Sequence, residues 1–457
     1  MGSGEGALSR SVAGPANVLA SWLGLALLVV GLLNGIGPFL RRVGLVERAR
    51  YEAFWELHTG PSGFTTAPFG LGRRCVTHRS VEEGGAAIEG GGPAALYVLE
   101  VRPWELPLKA LKDLLSLAVV AGALGARLRG GVAPPRPSWP LAGLGALVAA
   151  QAVAGLVRGG VAGTFAGLRS FEPLAVALVA GSVAGGLLPR LVPWLVGLLA
   201  VQVALAPIEL LRGIPIQGHM ALFGELFARR AAGTFVMPNT LGVVAAAVAA
   251  LAATFGASRR VRSCGWVAGG LAVVVSGSAT GLVGLVVAGA VAAALAARRR
   301  RALLPVAGLV AFSLAAGFAL VSSRPDLGDS AASRAAMLGR AFSGPVRVLV
   351  FGQGLGAGTN AERQLRWLPG SEGRERAAGP ETGDSAAAAL LAQTGLVGLA
   401  LGGAALAQAW ARRRELRPFL AVVALAGLTL GVAEAFPLGL LLGIGVSSAF
   451  CERKTQN

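Results

Sequence analysis

Apolar runs long enough to cross a lipid bilayer recur along this chain, and short arginine groups punctuate them. That pattern constrains the fold more than any single motif does. Inside a hydrocarbon core of about 30 Å every backbone polar group needs a partner within the protein, and roughly 20 residues of α-helix both cross the core and satisfy their own backbone. The runs are continuous and do not alternate in polarity, so helices are expected, not a β-barrel. With 54% hydrophobic and only 14% charged residues, and a mean hydropathy of +0.65, the 457-residue chain is too apolar for an ordinary soluble protein. Its 68 glycines suit helices that approach closely in lipid, where hydrophobicity alone does not drive one helix against another.

The formal charge is +18, yet the arginines lie between apolar runs, without a basic domain or interleaved aromatics. They read as topology signals and not as a nucleic-acid surface. Groups at Arg259, Arg260 and Arg262, at 298–301, and at Arg412, Arg413, Arg414 and Arg417 each bound an apolar run and are expected on the cytoplasmic side. The interval 264–297 is too long for one crossing, and SGSATG at 276–281 breaks it, which predicts a hairpin touching the outer face. Counting from these anchors predicts crossings near 17–37, 106–126, 139–158, 171–189, 191–210, 239–257, 264–276, 281–297, 302–321, 386–410, 417–433 and 436–450. The expected fold is therefore all-α, a single integral membrane domain over 1–457 with about 12 transmembrane helices and both termini inside. The run at 16–39 lacks a small-residue cleavage site and reads as the first span, not a removable signal peptide.

Three segments then fall outside. The loop 40–105 carries Arg41, Arg42, Arg48 and Arg50, partly offset by Glu47, Glu52 and Glu56. The segment 211–238 has apolar residues at helical spacing in GHMALFGELFARRAAGTF and is expected to lie along the membrane surface. The third, 322–385, is a large polar loop. Cys75 falls outside and Cys264 and Cys451 inside, so no intramolecular disulfide is expected, and neither cysteines nor the three histidines have metal-ligand spacing. His58 and His78 have no cluster around them and are assigned no role.

Arginine on the expected outer side runs against the positive-inside tendency, with Arg169, Arg230, Arg334 and Arg340 among the residues placed there. A guanidinium stays charged in almost any environment and grips phosphate oxygens through a rigid fork, so a diphosphate is the fitting ligand. The competing reading is that each side chain simply snorkels to the headgroups. Arg230 stands apart. It opens RAAGTFVMPNTLG at 230–242, where Gly233 permits a tight turn, Pro238 can begin a helix and Asn239 can serve that helix's open backbone groups.

The pattern R-x-x-G-x-F-x-x-P-N, followed by an alanine-rich span, resembles the signature segment of the O-antigen ligase and polymerase superfamily. Further elements follow in the order that superfamily shows: SGSATG at 276–281, SRAAMLGRAFSGPVRVLVFGQGLGAG at 333–358 and GDSAAAALLAQTGLVGLALGG at 383–403. The resemblance covers about residues 165–450. It implies a GT-C-like membrane glycosyltransferase of the bacterial inner membrane, multi-pass, with its active site facing the periplasm or outside. The implied partners are an undecaprenyl-diphosphate-linked glycan donor, a glycan acceptor, membrane lipid and a chain-length regulator; no cofactor is implied. Arg169, Arg230, Arg334 and Arg340 would contact the diphosphate. The chain departs from the pattern at Ala279, where many relatives carry arginine, and at Asp384-Ser385, where ligases carry histidine and asparagine. Asp384 is then the expected catalytic base or acceptor positioner. The Asp-Ser pair and EAFP at 434–437 resemble the polymerase branch more than the ligase branch.

Other readings of the same residues stay open. His219 and Glu225 share the outer segment with Arg230, and either is an alternative base, with Asp384 serving only as a helix N-cap. GQGLGAG at 352–358 lacks the βαβ context of a dinucleotide loop and reads as a turn at the membrane surface. A transporter or flippase is the alternative outside the enzyme class; few ionisable residues inside the expected spans and no internal repeat place it behind both glycosyl-transfer readings.

Overall fold

The computed structural model describes residues 73–76, 97–100, 105–130, 138–183, 187–212, 230–235, 237–296, 342–358, 385–429 and 436–451, with Trp22, Gly24, Leu32, Ala335 and Gly339. These residues are mostly helical. The helices are α1 (Glu105–Gly130), α2 (Trp139–Val183), α3 (Leu187–Arg212), α4 (Pro238–Phe255), α5 (Arg259–Ser276), α6 (Ala279–Ala296), α7 (Val346–Phe351), α8 (Ala386–Arg412), α9 (Arg417–Gly427) and α10 (Phe436–Cys451). One antiparallel pair, β1 (Arg73–Val76) with β2 (Tyr97–Glu100), departs from the all-helical expectation within the segment 40–105.

Four helical stretches are long and apolar enough to cross a membrane: Trp139–Val157, Leu187–Leu211, Pro238–Phe255 and Ala386–Arg412. Shorter apolar stretches occupy Asp113–Gly125, Ala279–Leu295 and Leu438–Phe450. The expected crossing 302–321, and 17–37 apart from three residues, lie outside the described residues.

The core forms around α4, whose residues from Leu241 to Ala252 are buried without interruption. Alanine and valine dominate it, so neighbouring helices can come close on several sides. Gly269 of α5 sits where a Cβ would lie 2.8 Å from the Ala249 methyl, and Gly265, one turn earlier on the same face, meets Ala252. This is the small-residue packing that substitutes for a hydrophobic driving force in lipid. The hairpin expected at 276–281 is present, and it is tight. Gly277 ends α5 in the left-handed region at φ 56°, and the Ser278 hydroxyl accepts from Gly281 N at 3.1 Å as α6 begins. At the other end of α5, Ser258 caps the helix by accepting from Val261 N at 3.2 Å. The arginines at the end of α8 meet the end of α10: Arg413 donates to Ser448 O at 3.3 Å, and the Arg412 guanidinium lies 4.4 Å from the Phe450 ring centroid.

Two helices depart from the expected spans. Expected crossings at 139–158 and 171–189 imply a loop between them, but α2 is helical from Trp139 to Val183 and breaks at one residue, Gly160, with φ 68° and ψ −175°. A Cβ on Gly155 would lie 2.8 Å from the Thr164 hydroxyl. Nine residues of straight helix span about 13 Å, so the chain doubles back at Gly160. Helix α8 breaks in the same way at Gly395, with φ 67° and ψ −170°. Extended backbone at positive φ is essentially open to glycine alone.

The segment 352–358 lies between these breaks. Expected as a surface turn, it is instead buried, apart from half-buried Gln353. Its backbone supplies what the broken helices lack: Gln353 N donates to Ala392 O at 2.7 Å, Gly354 N to Gln393 O at 3.3 Å, and Leu355 N to Gln151 O at 3.0 Å. The side chains of Gln151 and Gln393 reciprocate, Gln151 Nε2 donating to Phe351 O and Gln393 Oε1 accepting from Gly356 N at 3.1 Å. Irregular backbone in a helical membrane bundle requires such internal partners.

Candidate functional site

Arg230 and the five residues after it are buried, with the arginine 7% exposed. At the end of the segment expected to lie along the membrane surface, 230–235 form a buried turn; 213–229 lie outside the described residues. The physical reason is that this short stretch finds its backbone partners on α3 and α5. Ala231 N donates to Val275 O at 2.8 Å, and Phe235 N closes a turn onto Ala232 O at 2.9 Å. Gly233 takes φ 58° at the corner, as the tight-turn reading of this glycine requires.

Two α3 side chains hold the turn. The Glu209 carboxylate accepts from Ala232 N at 3.0 and 3.1 Å and from Gly233 N at 2.8 Å. The Gln202 amide clasps Thr234 from both sides, accepting from its N–H at 2.7 Å and donating to its hydroxyl at 2.9 Å. Seven residues apart, Gln202 and Glu209 share one face of α3. Leaving a buried N–H without its acceptor costs about 1–3 kcal/mol, so these contacts fix the path of the segment.

The guanidinium is oriented from two directions. Nε donates to Ser276 O at 2.8 Å and Nη2 donates to the Asn239 side-chain oxygen at 2.7 Å. Asn239 was expected to serve the start of α4; it holds Arg230 instead. Pro238 does open the helix, behind Met237, which makes no side-chain cap. Arg230 thus lies across the Gly277 turn, beside the amino ends of α4 and α6. Neither helix has an acidic residue in its first turn, so the positive ends of both dipoles add to the arginine.

A line of hydroxyls leads from here toward α8. Thr280, in the first turn of α6, shares a 3.1 Å hydrogen bond with Thr429 beyond α9. The neighbouring Gly427 carbonyl accepts from the Ser385 hydroxyl at 3.4 Å, and Ser385 in turn caps α8 by accepting from Ala388 N at 3.2 Å. The N-cap weighed for Asp384 is thus filled by Ser385. Ser385→Ala is expected to lower the stability of the detergent-solubilised protein by about 1 kcal/mol, read as a lowered thermal midpoint. An unchanged midpoint would show that the cap contributes nothing.

Arg169 has a different setting. It is 46% exposed on the second arm of α2, nine residues past the break, and pairs with Asp113 of α1 at 3.0 Å. Asp384, Arg334, Arg340, His219 and Glu225 lie outside the described residues. Sequence reasoning passed over Glu209 and Gln202, although a carboxylate in an apolar helix with a glutamine two turns before it was a usable signal. Comparison of the chain with protein-family models gives no match, and comparison with curated proteins gives none either.

Proposed function

We propose that this chain is a polytopic glycosyltransferase of a bacterial inner membrane, with about twelve spans, that polymerises undecaprenyl-diphosphate-linked repeat units on the outer face. The observation that carries the reading is the buried Arg230 guanidinium, oriented by Ser276 and Asn239 at the amino ends of two helices. Such an arrangement suits a diphosphate whose charge grows as it leaves. In the reaction the anomeric carbon–oxygen bond to the diphosphate breaks, and a bond from that carbon to an acceptor sugar hydroxyl forms. The hydroxyl proton passes to a base, for which Asp384 is the candidate, next to the Ser385 that the hydroxyl line reaches. Arg169, Arg334 and Arg340 are the further diphosphate contacts of this reading.

Electrophoresis of surface and carrier-linked glycans tests it, using cells that lack the chain and carry wild type or Arg230→Ala. The expected result is single repeat units in the deletion and in Arg230→Ala, with a ladder restored by wild type at equal membrane level. Full-length polymer stranded on the carrier would make the chain a ligase. Glycans unaltered in every strain would overturn both.

A transporter or flippase is the second reading, favoured by two observations. Discontinuous helices crossing over a buried loop are a feature of transporters, and Gly160 and Gly395 create two of them here. Asp113, Glu172 and Glu209 also place ionisable groups within helices that the sequence reading took to be nearly free of them. Substrate-dependent flux through the purified protein in sealed vesicles, without glycan extension, would favour this reading over glycosyl transfer.

A further inference from the structure

We propose that Glu209, braced by Gln202, is a positioning residue that presents Arg230 to its anionic ligand; the assignment rests on the glycosyl-transfer reading above. The arginine side chain is held at its tip by Ser276 O and Asn239. Its backbone is held by other means. One residue on, Ala231 N bonds Val275 O; two and three residues on, the N–H groups of Ala232 and Gly233 converge on the Glu209 carboxylate. Consecutive N–H groups pointing into one concavity form an anion-binding nest, and here the protein fills it with its own carboxylate.

The chemistry explains why a carboxylate stands there. Glu209 is 6% exposed in an apolar stretch of α3 whose nearest charged neighbour in sequence is Arg212, and a buried charge is costly without partners. Both carboxylate oxygens are acceptors: Oε1 takes Ala232 N, while Oε2 takes Ala232 N and Gly233 N. A glutamine of the same size offers one acceptor oxygen and turns an NH2 toward donors. Gln202 secures the next residue, and Gly233 is what lets it approach, since a Cβ there would meet the Gln202 amide oxygen. Glu209 and Gln202 therefore fix the height of the arginine along α3, while Ser276 and Asn239 fix its orientation. For a group that must meet charge developing on a leaving diphosphate, a displacement of about 1 Å is enough to cost rate.

Glu209→Gln tests the assignment through two readouts. For the first, Cys75, Cys264 and Cys451 are replaced by serine and Ala232→Cys is introduced; a thiol reagent then reports how often the segment leaves its seat. With Glu209 in place the buried thiol should react slowly, and Glu209→Gln should speed labelling at least about tenfold, as expected for local opening of a buried segment. The second readout is turnover of an undecaprenyl-diphosphate-linked repeat unit by the purified protein with its native cysteines. There Glu209→Gln should lower kcat at least about tenfold and leave KM for the donor within about threefold, the pattern of an interaction realised in the transition state. Faster labelling with turnover intact, or lost turnover without faster labelling, overturns the assignment. If wild type itself turns over no lipid-linked glycan, the glycosyl-transfer reading is at fault, and the labelling rate alone then decides whether Glu209 seats the segment.

Discussion

Gly395→Ala is expected to abolish accumulation of the folded protein in the membrane, whereas Gly403→Ala, eight residues along the same helix, should leave it unchanged or slightly more stable. Both replace glycine by alanine in α8, so helix propensity alone predicts a gain at both sites, of about 0.5–1 kcal/mol. The environments decide otherwise. Around Gly403 a Cβ would meet nothing within 4 Å. At Gly395 it would run into the Val350 carbonyl, which is backbone and has no rotamer with which to move aside. The residue also has φ 67° and ψ −170°, a region that costs a non-glycine residue about 1–3 kcal/mol before any collision is counted. Straightening the helix to relieve both would withdraw the Ala392 and Gln393 carbonyls from Gln353 N and Gly354 N. Membrane level by immunoblot and thermal midpoint in detergent check the pair. Equal behaviour of the two variants would show that the break at Gly395 is not needed for the fold.

On the polymerase function proposed above, the second large effect belongs to Arg230→Lys, for which the amount of polymer is expected to fall about a hundredfold at normal membrane level, close to removal of an oxyanion donor in other enzymes. Charge is conserved in this substitution, so electrostatics of the simplest kind predicts little change. What is lost is the planar fork. Nε and Nη2 of one rigid group reach Ser276 O and Asn239 Oδ1 on two different elements, and a single ammonium on a flexible stem does not reproduce that geometry. Glycan electrophoresis beside an immunoblot provides the check, and a wild-type ladder would show that any cation suffices at position 230.

The parts of the architecture that can be read from sequence are those dictated by length and by local backbone chemistry. The interval 264–297 has to fold into a hairpin because it is too long for one crossing, and SGSATG supplies the turn at 277–278. Likewise Pro238 begins α4, and Gly233 turns the chain. What sequence does not disclose is which of many similar residues is singled out by a distant partner. Nothing local distinguishes Gly160 and Gly395 from the other glycines in apolar runs; they break their helices beside the segment 352–358, which packs against Gly155 and Gly163 on one helix and against Gln393 and Thr394 on the other. The expected crossings 171–189 and 191–210 meet at Arg190, yet α3 starts at Leu187 and runs through, since proline in a first helical turn removes no intrahelical bond. The site divides the same way. Arg230 stood out as a charge beside turn residues, whereas the partner of Asn239 and the role of Glu209 depend on contacts between segments 9 and 23 or 24 positions apart.

The loop at 352–358 also bears on how the chain is assembled. Gln151 on α2 donates to Phe351 O, 200 positions further along, and the Gln151 carbonyl takes Leu355 N. During synthesis α2 therefore enters the membrane with part of its backbone awaiting a partner that the ribosome has yet to make, and α8, which holds the loop from the other side, is made later still. Unpaired backbone is poorly tolerated in lipid, so the nascent bundle must keep the α2 break sheltered among its own helices or in water until the loop is inserted. Closure of the loop is thus a late step in biogenesis, and a chain truncated before residue 352 would leave the break at Gly160 open to proteolysis and quality control.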